Sequence, residues 1–128
     1  MNTLLRLTEE QIEKLAVEIR EFLLAHGMWQ DVNIYFNGKC FTCRNPIDGS
    51  YYYNDREHLF EELDEDPRDY FAYVNSDHIL SMSFEGPVCG MIYYGTAPSV
   101  KRKFYEIFDK YGLYYEMGDH WNMTCYYI

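Results

Sequence analysis

Asn37-Gly38 stands between two alternating runs, Val32 to Phe36 and Lys39 to Cys43, and constrains the fold more tightly than any other dipeptide in the chain. Asn-Gly is the favoured pair for a two-residue type I′ turn, whose twist matches that of the strands it joins. Such a turn fixes register: Phe36 falls opposite Lys39, Ile34 opposite Phe41, and Val32 opposite Cys43. Side chains alternate along a strand, so Val32, Ile34, Phe36, Phe41 and Cys43 share one face. Tyr35, Cys40 and Thr42 share the other. A ribbon with one apolar face must bury it beneath a second layer.

The sequence supplies that layer. Thr8 and Gln11 have the spacing of a capping box, with Leu7 and Ile12 placed as its hydrophobic staple. Ile12, Leu15, Ala16, Ile19, Phe22 and Leu23 recur at helical spacing, while Glu10, Glu13, Lys14 and Glu21 fall outward. His26 lies in the last turn and Gly27 is the expected stop. A second helix runs from about Pro98 to Tyr111 through Val100, Phe104, Ile107 and Phe108, and ends at Gly112.

Further hairpins extend the ribbon. Asn45-Pro46-Ile47-Asp48-Gly49 is a turn into a short strand, Ser50 to Tyr53. Ile79 to Glu85 alternates and is ended by Gly86-Pro87. Val88 to Tyr94 fits a strand by residue type and a short helix by the proline before it. A closing hairpin with the loop Gly118-Asp119-His120 puts Leu113, Tyr115 and Met117 on the face of Trp121, Met123 and Cys125. The expectation is one domain over residues 1–128: an α+β, two-layer fold with a mostly antiparallel sheet built from hairpins and helices packed on one face. At 128 residues the chain can bury a self-supporting core, and 48% apolar with 19% aromatic residues excludes disorder.

Charge is distributed unevenly. The formal net charge is −10, and most of it comes from Asp55 to Asp69, where Asp55, Glu57, Glu61, Glu62, Asp64, Glu65, Asp66 and Asp69 face only Arg56 and Arg68. Asn54 or Asp55 is placed to cap a short helix with Leu59, Phe60 and Leu63 inward and the acids outward. Asp66-Pro67 is a second helix start, with Tyr70, Phe71 and Val74 on its buried side. The acidic balance argues against a groove tracking nucleic-acid phosphates and against adhesion to anionic lipid. No apolar run reaches membrane-spanning length, and Met1 to Leu7 lacks the build of a secretory leader. The expected setting is the cytoplasm, with the four cysteines reduced.

Tests for chemistry return little. Cys40-Phe41-Thr42-Cys43 has the spacing of a redox dithiol or half a zinc site, but residues three apart on a strand point to opposite faces. One buried and one half-exposed cysteine is the expectation. His26, His58, His78 and His120 are scattered, and Asp77-His78 with Asp119-His120 would have to be gathered by the fold to hold a metal. Cys89 has no neighbouring cation to activate it as a nucleophile. The acidic run lacks the glycine and distal glutamate of a calcium loop. These patterns imply no cofactor, no metal and no catalytic residue, and the reading inclines away from an enzyme.

The expected function is therefore a small, acidic, tyrosine-rich interaction module that inhibits or regulates a basic or nucleic-acid-binding protein. Its interface would comprise Glu57, Glu61, Glu62, Asp64, Glu65, Asp66 and Asp69 around the anchors Tyr51, Tyr53, Tyr70 and Tyr73. Carboxylates at helical spacing would also imitate a row of phosphates. The alternative is a small-molecule site or enzyme whose aromatic-lined pocket holds His78, Cys89, His120 and Trp121.

Overall fold

The computed structural model describes residues 6–128, so most of Met1–Leu7, read above as unlike a leader, lies outside the described residues. Helix α1 spans Glu9–Ala25. Its start is the expected capping box: the Gln11 amide donates to the Thr8 hydroxyl at 3.1 Å and the Thr8 amide to Gln11 Oε1 at 2.8 Å. Gly27, just past the C-cap His26, turns the chain away in the left-handed region at φ 66°. Strands β1 (Val32–Phe36) and β2 (Lys39–Thr42) follow. Asn37 and Gly38 both adopt positive φ, as the type I′ turn requires, and the register pairs Phe36 with Lys39 and Ile34 with Phe41.

Beyond β2 come β3 (Phe60–Leu63), β4 (Leu80–Phe84), α2 (Pro87–Ile92), α3 (Pro98–Lys110), β5 (Leu113–Met117) and β6 (Asn122–Tyr127). The six strands form one antiparallel sheet in the order β3-β2-β1-β4-β6-β5. The helices pack on the face carrying Ile34, Met82, Phe84 and Met123. There they enclose a core with Leu15, Ile19, Leu23, Trp29, Phe104 and Phe108. The fold is thus α+β and two-layered.

Several local expectations are corrected. The acidic residues 55–63 form no helix: they make turns and then β3, the outermost strand beside β2. A helix there would stack like charges at i,i+4, as in Glu57–Glu61 and Glu62–Asp66, which is destabilising, and the residue before Pro67 is pushed out of helical geometry. As a strand, Glu61 and Glu62 point to opposite faces, and Glu61 meets Lys39 at 3.5 Å. Leu63, expected inside, is 68% exposed. Asp66-Pro67 does start a helix, but only a single 3-10 turn, Pro67–Asp69, with the Asp66 carboxylate accepting from the Arg68 amide. Ser50–Tyr53 contributes one bridge, Arg44 to Tyr51, rather than a strand. Val88–Tyr94 resolves as α2, initiated by Pro87.

The closing hairpin pairs Met117 with Met123 and Tyr115 with Cys125, two residues displaced from the expected register. A slip of two preserves every face, so Leu113, Tyr115, Met117, Met123 and Cys125 remain on the helix side. Trp121 does not join them. It lies in the wider loop and meets Phe71 edge-on, with ring centres 5.7 Å apart.

Phe71 belongs to the segment that crosses the second face of the sheet. Tyr35, Cys40 and Phe71 form a small cluster there, with Val74 and Trp121 against it. The crossing segment explains why Ser81 and Thr124, on strands β4 and β6, are buried; their hydroxyls satisfy each other at 2.8 Å. The C-x-x-C cysteines indeed face opposite ways, Cys40 into this cluster and Cys43 into the main core. Both are buried, so the expected half-exposed thiol is absent from this pair.

Candidate functional site: an acidic edge and a cleft

The seven expected interface carboxylates share one stretch of chain but differ in their partners. Glu61 joins Lys39, which Glu13 holds at 2.8 Å. Asp66 pairs with Arg68 at 2.9 Å, and Glu65 accepts from the Tyr70 hydroxyl at 2.5 Å. Arg68 holds the Asp66 carboxyl below the usual carboxylate range, and the hydrogen bond to Glu65 pushes the Tyr70 phenol up to about 12. Among the described residues, Glu57, Glu62, Asp64 and Asp69 make no ion pair and no side-chain hydrogen bond. Register puts Glu62 opposite Cys40, on the second face, where its field and that of Glu65 add to burial in raising the Cys40 thiol. Glu62 and Asp69 also act on Tyr70.

All four tyrosines are exposed, including Tyr70, expected on the buried side of its turn, where only Phe71 is buried, and they form two groups rather than one. Tyr70 and Tyr73 lie on the segment following β3, Tyr70 within the field of Glu62 and Asp69. Tyr73 is 75% exposed. Tyr51 and Tyr53, with ring centres 5.8 Å apart, lie beyond the far end of β2. The Tyr53 hydroxyl donates to Asp31 at 2.7 Å, and that carboxylate pushes the phenol up to about 12.

That far end of the sheet contains a cleft of about 200 Å3. Asn33, Thr42 and Ser83 form its floor, with the Asn33 amide donating to Ser83 Oγ at 3.1 Å. Tyr51 and Trp121 line it, and Asp31, Glu85 and Arg44 complete its wall. A second hollow of about 300 Å3 shares Glu85 and Trp121 and adds Cys89, Tyr94 and His120.

Of the four residues expected to line a pocket, three lie around one hollow. Cys89, His120 and Trp121 do come together, although Cys89 Sγ contacts the His120 main-chain oxygen at 3.4 Å rather than the imidazole. His78 is not with them. It lies at the opposite end of β4, its Nδ1 2.7 Å from the Asn75 oxygen. Among the described residues no three His, Cys, Asp or Glu side chains converge as a metal would require.

Sequence reasoning missed Asp31, Arg44, Glu85 and Tyr94. Their proximity depends on β4 pairing with β1, which no local pattern announces. No family model matches this chain, and neither a curated protein nor a solved structure matches it. No helix among the described residues is long and apolar enough to cross a membrane.

Proposed function

We propose that the protein is an interaction module that docks a basic protein partner through the acidic edge of its sheet, and that by occupying the partner it inhibits or regulates it. One observation carries this reading. Glu57, Glu62, Asp64 and Asp69 are without internal partners among the described residues; Glu62 and Asp69 act on the exposed Tyr70, and Leu63 on the same edge strand is exposed as well. Carboxylates of this kind speed encounter and set orientation, while the apolar surfaces beside them supply contact area. A helical row of phosphate mimics does not form, because the carboxylates stand on a strand and its turns. A short charged edge strand also resists pairing with other sheets, which leaves side-chain recognition as the mode of docking.

Affinity capture from the native host tests this, using the parent protein and a variant carrying Glu62→Lys and Asp69→Lys. The parent is expected to retain a basic protein at low salt and release it at high salt, and the variant to retain at least tenfold less. Equal capture by both proteins, or capture indifferent to salt, would overturn the reading.

A further inference from the structure

The cleft at the far end of the sheet has a chemistry of its own. Asp31 and Glu85 belong to different strand ends, yet the Glu85 amide donates to the Asp31 main-chain oxygen at 3.1 Å, and both residues line the cleft. Asp31 holds a left-handed backbone at φ 56°, uncommon for a residue other than glycine, and its carboxylate is anchored by Tyr53. Gly86 lets the two segments approach: a Cβ there would lie 2.9 Å from the Gln30 oxygen and 3.4 Å from Asp31 Oδ2. The chain thus places two negative charges at a concave site floored by amide and hydroxyl groups.

Neither carboxylate is neutralised from within. Among the described residues no lysine, arginine or histidine lies within ion-pair distance of Asp31 or Glu85. Arg44, the cleft's own cation, has its guanidinium over Gly49, where an added Cβ would stand 3.2 Å from Nη2. Trp121 and Tyr51 supply aromatic surface in the same space. Aromatic faces and carboxylates together favour a cation on an apolar stem, since the stem packs on the rings while the charge reaches the acids.

We infer that this cleft receives an arginine or lysine side chain of the partner, its cation directed to Asp31 and Glu85 and its stem against Trp121 and Tyr51. The inference rests on the partner's being basic, as proposed above, and adds a second point of contact. Thr42 lines the cleft and pairs with Phe60, the first residue of β3, so the cleft adjoins the start of the edge strand. A partner contacting both would be fixed in orientation as well as drawn in by charge.

Titration of isotopically labelled protein with the peptide acetyl-Gly-Gly-Arg-Gly-Gly-amide tests the cleft without the partner. Saturable shifts are expected at the Trp121 indole N–H and the Ser83 amide, with dissociation in the millimolar range. Replacing arginine by the uncharged isostere citrulline is expected to weaken binding at least tenfold. Glu85→Gln is expected to do the same, and because Glu85 is exposed and makes no side-chain hydrogen bond among the described residues, that variant keeps the fold. Equal shifts with citrulline, shifts confined to β3, or no saturation would each overturn the inference. Because the peptide needs no partner, saturation at the cleft together with failed capture would sink the edge reading alone. Salt-sensitive capture that survives Glu85→Gln, with no peptide binding, would sink the cleft alone.

Discussion

Two glycines near the start of α2 call for opposite outcomes from the same substitution. At Gly86 an added methyl meets the Gln30 main-chain carbonyl at 2.9 Å, with the Asp31 carboxylate at 3.4 Å, and the main-chain oxygen has little room to yield. Gly86→Ala is expected to cost about 1–3 kcal/mol, the range for overpacking a close contact. At Gly90, inside α2, the nearest atom is Thr96 Oγ1 at 3.3 Å, the end of a side chain that can rotate. Alanine is favoured over glycine in a helix by about 1 kcal/mol, so Gly90→Ala is expected to be neutral or stabilising. Urea midpoints of the two variants decide the matter, and equal losses at both positions would contradict the close approach of residues 30–31 and 86. Nothing in the sequence announces this contact: Gly86-Pro87 reads as the end of a strand, and only the β1–β4 pairing shows what the glycine faces.

Elements whose signals are local were legible, and those depending on distant chain were not. The Thr8–Gln11 box and the Asn37-Gly38 turn are contained within a few residues, and both form as their chemistry dictates. The acidic stretch misled because Leu59, Phe60 and Leu63 fit a helical period, whereas repulsion among carboxylates one turn apart and the unpaired edge of β2 favour a strand. Strand order and the segment crossing the second face are long-range properties, so the cleft, which depends on both, could not be read from composition or spacing. The α1 start gives the matching test at this scale. Thr8→Ala leaves the Gln11 amide without its acceptor and is expected to cost about 1 kcal/mol by urea denaturation, with Thr8→Ser restoring most of it. A loss indistinguishable from zero would mean that the packing of Leu15, Ile19 and Leu23 alone defines where the helix begins.

For the molecule as a whole, burial of thiols and phenols predicts where stability fails with pH. Burial raises the Cys40 thiol and the Tyr35 phenol, and pushes Cys125 up to about 12. Burial, then the hydrogen bond to Glu18, pushes Tyr111 up to about 12. In the unfolded chain, thiols lose their protons near pH 8.5 and phenols near 10, while the folded protein retains them. Above about pH 8.5 the unfolded state therefore binds fewer protons, and stability falls as pH rises through the folded values near 12. The negative net charge grows over the same interval and adds self-repulsion in the same direction. On the acid side the sign reverses. Asp48, Asp55 and Asp66 titrate below the usual carboxylate range, so their contribution is present above about pH 4 and is lost as pH falls. Asp48 is exposed and Asp55 and Asp66 are only half-buried, whereas Cys40, Cys125 and Tyr35 are buried; the alkaline limb should be the steeper. Urea midpoints measured from pH 4 to 11, with tyrosinate absorbance followed alongside, should decline above pH 9, and a fraction of the tyrosines should ionise only as the fold is lost. A midpoint unchanged through pH 10.5, with all tyrosines titrating freely, would show that water reaches the interior at Tyr35 and Cys40 and that the crossing segment does not seal the second face.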